Sequence, residues 1–152
     1  MAKDFSSVTR RLSDVIKDAG DRVPVAKAPR ANAESLRAQI VALEKGDYGP
    51  ALAAARDDVE LDIFAPPQFP WIRRARGLEE YRQAVQQNFS AVEDQRPEIT
   101  SVTADGDDIV VIGREQGRIR ATSAGYDVRF VQRFKFIEGK LASLQIIAAN
   151  SV

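Results

Sequence analysis

Residues 57–77 read DDVELDIFAPPQFPWIRRARG, and this stretch decides the fold. Val59, Leu61 and Ile63 alternate with acidic side chains, which is the two-residue period of a half-buried strand. Three prolines follow, and a sheet cannot continue through them because proline has no N–H to donate. Gly77 then precedes a helical pattern. The stretch therefore predicts a strand, a stiff aromatic loop and a helix start, which together form one wall and the mouth of a pocket.

Helical patterns precede this strand. Residues 4–19 carry apolar side chains at helical spacing, which suits packing on the domain or on a partner subunit. Residues 20–33 hold two prolines and no apolar period, as in a linker. Asn32 is a residue type that favours the N-cap of a helix, and two helical patterns follow it. We therefore expect an N-terminal helical arm over residues 1–31 and a folded domain over residues 32–150.

Strand patterns dominate the second half of the chain. After a helix over residues 78–89, a hairpin turn is predicted at residues 105–107. Residues 126–136 alternate strictly, and residues 141–149 form a last apolar strand. Helices followed by a run of strands predict the α+β class, with an antiparallel sheet curved against three helices. The space between sheet and helices is the expected place for a ligand.

The composition bounds the chemistry. The 152 residues include 22 Lys plus Arg and 22 Asp plus Glu, so no net field attracts nucleic acid or an acidic membrane. The chain has no cysteine and no histidine, which excludes thiolate chemistry, Ser-His-Asp hydrolysis and imidazole-bound zinc. Acid–base chemistry must then fall to a carboxylate, Tyr, Lys or water. No apolar run is long enough for a membrane span, so we expect a cytoplasmic protein.

Five short motifs connect these patterns to a known family. They are EKGD at 44–47, DDV at 57–59, RG at 76–77, the strand at 113–120 and FKFIEGK at 134–140. In this order they resemble the SnoaL-like branch of the nuclear-transport-factor-2-like superfamily, over residues 32–150. The resemblance implies a cone-shaped α+β barrel with an internal pocket and dimers formed through the outer face of the sheet. The superfamily contains isomerases, cyclases, dehydratases, epoxide hydrolases and non-enzymatic binding modules, so the fold alone chooses no function.

The catalytic residues of the ketosteroid isomerases of this superfamily can be compared one by one with the residues at the corresponding positions of this chain. Their tyrosine and late aspartate, which form an oxyanion hole, correspond to Gln39 and Gln132 here. Their catalytic base corresponds to Ile63, with Asp62 one residue away and therefore on the other face of the strand. The resemblance thus implies that the isomerase machinery is not present in its usual form. Two glutamines that face one cavity can still donate hydrogen bonds to a carbonyl group.

The residues of the predicted pocket follow from these patterns. The candidate catalytic residues are Glu115 and Asp62, and the candidate ligand contacts are Gln39, Leu61, Ile63, Phe64, Phe69, Trp71, Tyr81, Phe130 and Gln132. Glu115 shares a face with apolar residues, so it is either an acid or base with a raised pKa or the partner of a nearby Arg. Asp62 is either a base or a carboxylate at the rim.

Four further features have more than one interpretation at this point. Gln132 is either a ligand contact or a satisfied polar group of the core. The aromatic loop closes on a ligand as a lid, plugs the cone or packs on a partner. Arg73, Arg74 and Arg76 clamp an acidic ligand or form a solvated charge run. The outer sheet face mixes arginines with apolar residues, which is typical of a subunit interface and not of a nucleic-acid site.

The sequence thus predicts a homodimer that binds a small hydrophobic molecule, without a cofactor or a metal. If it is an enzyme, we expect cofactor-independent proton transfer of the isomerase, cyclase or lyase type, with Glu115 or Asp62 as acid or base. The alternative is a non-catalytic interaction module that uses the N-terminal helix and the outer sheet face. No partner that is a nucleic acid or a membrane is expected.

Overall fold

The computed structural model describes residues 27–151, so the predicted helix at residues 4–19 lies outside the described part. Helices alternate with strands only in the first half of the chain, and strands alone follow, as the α+β class requires. In chain order the elements are α1 (Lys27–Glu44), α2 (Gly49–Ala53), β1 (Ala55–Phe64), β2 (Arg74–Arg76), α3 (Leu78–Ser90), β3 (Val92–Asp105), β4 (Asp108–Ile119), β5 (Gly125–Ile137) and β6 (Lys140–Asn150).

One curved sheet contains all six strands, in the order β2-β1-β6-β5-β4-β3. Its neighbours are antiparallel except β1 and β6, which run parallel with Ile63 opposite Ile146. The α+β prediction is confirmed, and the prediction of a wholly antiparallel sheet is wrong for this pair. The reason is connectivity, because the whole remaining chain separates β1 from β6 and no hairpin forces them to run in opposite directions.

The alternation predicted for β5 is confirmed, and it defines the two faces of the sheet. Phe130 and Phe134 are buried and Gln132 is half-buried, whereas Val131 and Lys135 are exposed. We call the face with Phe130 the inner face and the opposite one the outer face. Leucine, isoleucine and alanine side chains of α1 and Tyr81 of α3 pack in one core with the inner face. The helices thus cover the inner face, and none of the described helices packs on the outer face.

Helix α1 spans Lys27–Glu44, so the predicted linker over residues 20–33 is wrong in its last part. Asn32, predicted as the N-cap, lies inside α1 and is 3% exposed. Its side-chain amide donates to the backbone carbonyl of Asp107 at 2.7 Å. A buried amide needs such a partner, so Asn32 ties the helix to the β3–β4 turn rather than starting it.

Strand β3 begins at Val92, five residues before Pro97, where the sequence predicts the first strand pattern. Proline is tolerated inside β3 because this strand is the edge of the sheet and pairs on one side only. The strand also contains a bulge, since Glu93 lies opposite Arg118 while Arg96 lies opposite Gln116. The extra residue and the positive φ of 53° at Asp94 hide the strand period from the sequence.

Candidate functional site

The proline loop packs on its own domain. Phe69 is 2% exposed, its ring stacks on Trp71 at a centroid distance of 4.2 Å, and it meets Tyr126 edge-on at 4.9 Å. These aromatic rings belong to a small second core with Val92 and Ile119 near one end of the sheet. Each aromatic pair at these distances contributes about 1 kcal/mol of stability in addition to the contribution from its buried area. Of the three interpretations of the loop, the contacts favour a plug at this end of the fold.

Hydrogen bonds hold the same loop closed at its base. The Arg73 guanidinium donates to the carbonyls of Ala65, Pro66 and Phe69 at 2.7, 2.9 and 3.2 Å. The Asn88 side chain of α3 accepts from the Ile72 N–H at 2.8 Å and donates to the Ile72 carbonyl at 3.0 Å. Arg73 therefore satisfies backbone carbonyls that the prolines leave without a ladder partner, and its geometry is that of a loop clamp.

Glu115 lies on the inner face of β4 and is paired with Tyr126 of β5. The Tyr126 hydroxyl donates to Glu115 Oε2 at 2.7 Å. The contact depends on Gly117, which lies directly opposite Tyr126 in the sheet. A Cβ at Gly117 would lie 2.6 Å from the tyrosine hydroxyl oxygen and 2.8 Å from Cζ. Because the glycine leaves this space empty, the ring crosses β4 and reaches the carboxylate two residues away on the same face.

Burial changes the protonation of this pair. Desolvation raises the pKa of Glu115, and hydrogen bonds from Tyr126 and Gln95 to the carboxylate oppose the rise without cancelling it. Desolvation also raises the pKa of Tyr126, and the negative charge of Glu115 adds to that rise, so the phenol stays protonated as the donor. The predicted ion pair of Glu115 with a strand arginine is not formed with Arg114 or Arg118, which pair instead with Asp127 and with Glu93 and Asp94.

Two other polar side chains on the inner side carry buried atoms without a hydrogen-bond partner among the described residues. Oε1 of Gln132 is one, and it lies between Phe130 and Phe134 on β5. Nε1 of Trp71 is the other. Gln39 differs, since it is 4% exposed but its amide donates to the Ser35 hydroxyl in its own helix at 3.3 Å. Arg37 Nε is also buried without a partner in the described part of the chain.

The remaining predicted contacts are divided between the two faces. Leu61, Ile63 and Tyr81 are buried in the main core, and burial raises the pKa of Tyr81 to about 12. Phe64, a predicted ligand contact of the loop, is 57% exposed and lies on the outer side. Asp62 also lies on the outer side, where Arg74 Nε and Arg76 Nη2 approach its Oδ1 at 3.4 and 3.3 Å. Strand alternation separates both from Glu115.

The outer face is less basic than its arginines suggest. Arg114 pairs with Asp127, Arg133 pairs with Asp105 and Asp108, and Arg120 pairs with Glu93. Between these pairs, Phe64, Ile147, Val131 and Ile112 form an apolar row, because each is the cross-strand partner of the next on β1, β6, β5 and β4. Their exposures are 57, 50, 38 and 41%. We call these four residues the outer row.

The sequence-based prediction of the site did not include three residues near Glu115. Tyr126 was assigned to the inner face but not to the site, and Gly117 and Gln95 were not singled out. A usable signal exists for the first two. Glu115 and Gly117 are two residues apart on one face, and a glycine opposite an aromatic residue lets that ring lie across the strand. Gln95 follows the bulge in β3, which the sequence does not reveal.

Within residues 27–151, no three or more carboxylates converge in a way that would hold a metal ion. No helix in the same range is both long and apolar enough to cross a bilayer.

The chain matches one family model, and it matches none of the curated proteins. A model of the SnoaL-like domain matches residues 36–144, well over half of the chain. The match covers the second half of α1, the proline loop and most of the sheet, including Glu115, Tyr126 and Gln132.

Solved structures agree on the fold. A nuclear-transport-factor-2-like protein from Burkholderia xenovorans is 21% identical with a TM-score of 0.69, over 80% of this chain and 91% of that one. A protein proposed to be an isomerase, from Rhodopseudomonas palustris, is 20% identical with a TM-score of 0.66, over 77% and 90%. A proposed SnoaL-like polyketide cyclase from a Jannaschia species is 14% identical with a TM-score of 0.67, over 82% and 89%. At these identities the likeness shows the cone-shaped α+β fold alone.

Proposed function

Because the chain belongs to the SnoaL-like domain family, we propose that it binds a small hydrophobic molecule on the inner face of its sheet and transfers a proton through Glu115. The observation that carries this proposal is the Glu115–Tyr126 pair, a half-buried carboxylate that accepts a hydrogen bond of 2.7 Å from a phenol packed in an apolar cluster. A raised pKa moves such a carboxyl toward the range in which it both gives and takes a proton. The expected cytoplasmic location is part of the proposal.

The pocket in this proposal is bounded by the elements that cover the inner face. Leu36 of α1 and Tyr81 of α3 pack over one part of the face, and Phe69 closes the other end. Gln132 lies four residues along β5 from Val128, the residue opposite Glu115, which is about 13 Å along the strand. A flat molecule of about two or three rings reaches both side chains over this distance. Its apolar body replaces water against the aromatic residues of β5.

The chemistry follows from the roles of three side chains. Tyr126 donates to Oε2 of Glu115, so Oε1 is the oxygen that faces a substrate proton. Glu115 removes a proton from a carbon next to a carbonyl group and returns it at another position, so isomerisation needs no further reagent. Gln132, with Gln39 as the expected second amide, orients the carbonyl oxygen and stabilises the negative charge that develops there. Asp62 has no part in this proposal, because it pairs with Arg74 and Arg76 on the outer side.

Deuterium exchange tests the proposal without knowledge of the natural substrate. 2-Tetralone, a flat two-ring ketone with acidic protons beside its carbonyl, is incubated with the full chain in D2O and followed by NMR. We expect the protein to accelerate exchange, and Glu115→Gln to reduce the acceleration at least about 100-fold, the usual contribution of a general base. Glu98→Gln, at an exposed carboxylate on the neighbouring strand, is the matched control and should retain it.

Two results of this experiment reject the proton-transfer role. One is exchange at the uncatalysed rate with the wild-type chain, and the other is equal acceleration by Glu115→Gln. Binding of 2-tetralone without exchange would instead support a non-catalytic binding module.

A second candidate function is carried by the outer row. Four exposed apolar residues cross four adjacent strands, and the charges around them are already paired within the chain. A partner with a strong charge gains little on such a face, whereas a second copy presents the same apolar row to itself. We therefore propose a homodimer formed through the outer row. The sedimentation experiment on Val131 described below tests it separately from the pocket.

A further inference from the structure

A continuous series of contacts connects the proline loop with Glu115. The Tyr126 hydroxyl donates to Glu115 Oε2 at 2.7 Å, and the Tyr126 ring meets the Phe69 ring edge-on at a centroid distance of 4.9 Å. The Phe69 ring in turn stacks on Trp71 at 4.2 Å, with 20° between the two planes. Phe69 is therefore separated from the carboxylate by a single side chain, which contacts both.

Two neighbours decide where the Tyr126 hydroxyl points. On the sheet side, the ring lies so close to Gly117 that a Cβ there would be 2.8 Å from its Cζ. From the loop, the ring of Phe69 packs on it, and Phe69 is itself 2% exposed. A ring in such a closely packed place has little freedom to change its rotamer. Gly117 thus provides the space for the phenol, and Phe69 restricts the ring to the position from which its hydroxyl reaches Glu115.

The proline loop is fixed at the level of the sheet that contains Glu115. The Gln68 side-chain amide donates to Asn150 Oδ1 at 2.8 Å. Asn150 is the cross-strand partner of Val128, and Val128 is the cross-strand partner of Glu115. Neighbouring strands lie about 5 Å apart, so these contacts bring the loop to the same level as the carboxylate. Phe69, the residue after Gln68, is held there with it.

The orientation of the phenol matters because few groups face the Glu115 carboxylate. Tyr126 of β5 and the amide of Gln95 of β3 donate to it. Arg114 and Arg118 of its own strand point to the outer side, where they pair with other carboxylates. If the phenol turns away, the carboxylate loses one of two donors, its pKa rises further and its plane is no longer fixed.

We propose that Phe69 is a positioning residue for the acid–base reaction, because it holds the Tyr126 ring at Gly117 and so keeps the Glu115 carboxylate oriented for proton transfer. The inference rests on the proposed function, since it assigns a further residue to the same reaction. It goes beyond that function by giving the proline loop a part in the chemistry. A loop that only plugs one end of the fold would affect stability and ligand entry and would leave the carboxylate unchanged.

Phe69→Leu separates the two roles by the sign of one shift, because leucine is apolar but has no ring. The pKa of Glu115 is measured by carboxyl-carbon NMR in the full chain without ligand. We expect this pKa to rise, as in Tyr126→Phe, since the carboxylate loses a donor. If Phe69 only excludes water, the variant hydrates the carboxylate and the pKa falls toward its ordinary value. A fall or no change overturns the inference, and Phe89→Leu, at an exposed phenylalanine of α3, is the matched control.

Deuterium exchange of 2-tetralone provides the kinetic part of the test. Phe69→Leu should lower kcat about tenfold and change KM by less than about twofold, because it disturbs the carboxylate and not the binding of the ketone. In the Tyr126→Phe background, the same substitution should lower kcat by no more than about twofold, since Phe69 acts through the tyrosine hydroxyl. A rise in KM alone, or a second tenfold loss of kcat in that background, overturns the inference.

A measurement on the wild-type chain does not depend on the folding of any variant. From about pH 4 to about pH 8, the ring signals of Phe69 should shift with the same midpoint as the Glu115 carboxyl carbon, and those of Phe134 in the main core should not. Phe69 signals that stay constant while Glu115 titrates overturn the inference and leave the proposed function intact. A wild-type chain that titrates as expected but does not exchange 2-tetralone overturns the proposed reaction, and the coupling of Phe69 to Glu115 stands.

Discussion

The inner and outer faces of the sheet are built from alternating residues of the same strands, yet their polar side chains find hydrogen-bond partners in different ways. On the outer face, Arg114 and Arg133 meet aspartates of their own sheet, and water completes what these pairs leave unsatisfied. On the inner face, Glu115 depends on Tyr126, and the Gln132 oxygen has no partner among the described residues. Water replaces a lost partner outside but not inside, so polar residues of the inner face are the ones that need a functional explanation.

The largest contrast is expected between two phenylalanines of the same stretch. Phe69→Ala removes a buried ring from the second core and should lower the free energy of unfolding by about 3–5 kcal/mol. Phe64→Ala removes an exposed ring and should change the stability of the subunit by less than about 0.5 kcal/mol. Urea unfolding of both variants measures the difference. Similar losses for the two would mean that the loop does not plug this end of the fold.

A charge in the outer row tests whether this face forms the proposed dimer interface. Val131→Asp places a carboxylate at the centre of the row, and in a dimer this charge would be buried without a partner. We expect the dissociation constant of the dimer to rise by about 100-fold, or about 3 kcal/mol, measured by sedimentation. Lys135→Asp, on the same face outside the row, is the control. A wild-type chain that sediments as a monomer at every concentration would contradict the dimer.

A methyl group added at Gly117, on the inner side of β4, tests the close approach of the Tyr126 ring to this residue. Gly117→Ala puts a Cβ within 2.8 Å of the Tyr126 ring and should cost about 2 kcal/mol of stability, since the ring must move off the strand. Gly125→Ala, where the nearest atom is 3.9 Å away, should cost less than about 0.5 kcal/mol. Chemical denaturation provides both values. A neutral Gly117→Ala variant would show that the tyrosine accommodates the methyl group and that the glycine is dispensable.

The pH dependence of stability tests the Glu115–Tyr126 pair. The folded pKa of Glu115 lies above its unfolded value, so the folded state binds more protons between the two values and stability falls as pH rises through that window. Tyr126→Phe removes a donor to the carboxylate, raises this pKa further and widens the window, with a loss of about 1 kcal/mol at neutral pH. Carboxyl-carbon NMR of Glu115 and unfolding from about pH 4 to about pH 8 measure both effects.

Glu115→Gln provides the control for that titration. It has no proton to lose, so the fall in stability across the window should disappear. A Glu115 signal that titrates at its ordinary value in the wild-type chain would remove the physical basis of the proposed acid–base role.

The smallest effect is expected at Asp62. Asp62→Asn breaks exposed contacts with Arg74 and Arg76 and should change stability by about 0.5 kcal/mol or less. It should also leave deuterium exchange of 2-tetralone at the wild-type rate, because its side chain points away from the inner face. A loss of exchange comparable to that of Glu115→Gln would reverse the assignment of the two faces.

Local patterns accounted for most elements of the fold. Strict alternation in β5 and in residues 59–63 was enough to separate inner from outer side chains. The period of residues 59–63 also placed Asp62 outside, and that of β4 placed Glu115 inside, because side-chain direction in a strand depends on the backbone alone. The same rule places Phe64 outside, where the aromatic character of the loop had suggested a ligand contact.

Elements that depend on distant partners were the ones missed. The parallel pairing of β1 with β6, the bulge at Asp94 and the early start of α1 each involve residues far apart in the chain or an irregular backbone. Asn32 shows the difficulty, since an asparagine is equally suited to capping a helix and to bonding a turn 75 residues away. Only the folded chain shows which partner is present.

For this protein, the sequence by itself determined the family, the class of fold and the two faces of the sheet, because these depend on local periodicity and on short motifs in order. The tertiary structure alone decided that Tyr126 crosses Gly117 to reach Glu115, and that Arg73 clamps the proline loop. It also decided that Trp71 and Gln132 keep buried polar atoms that no residue in the described range 27–151 pairs. These features depend on distances between strands and loops, which no single segment of the sequence encodes.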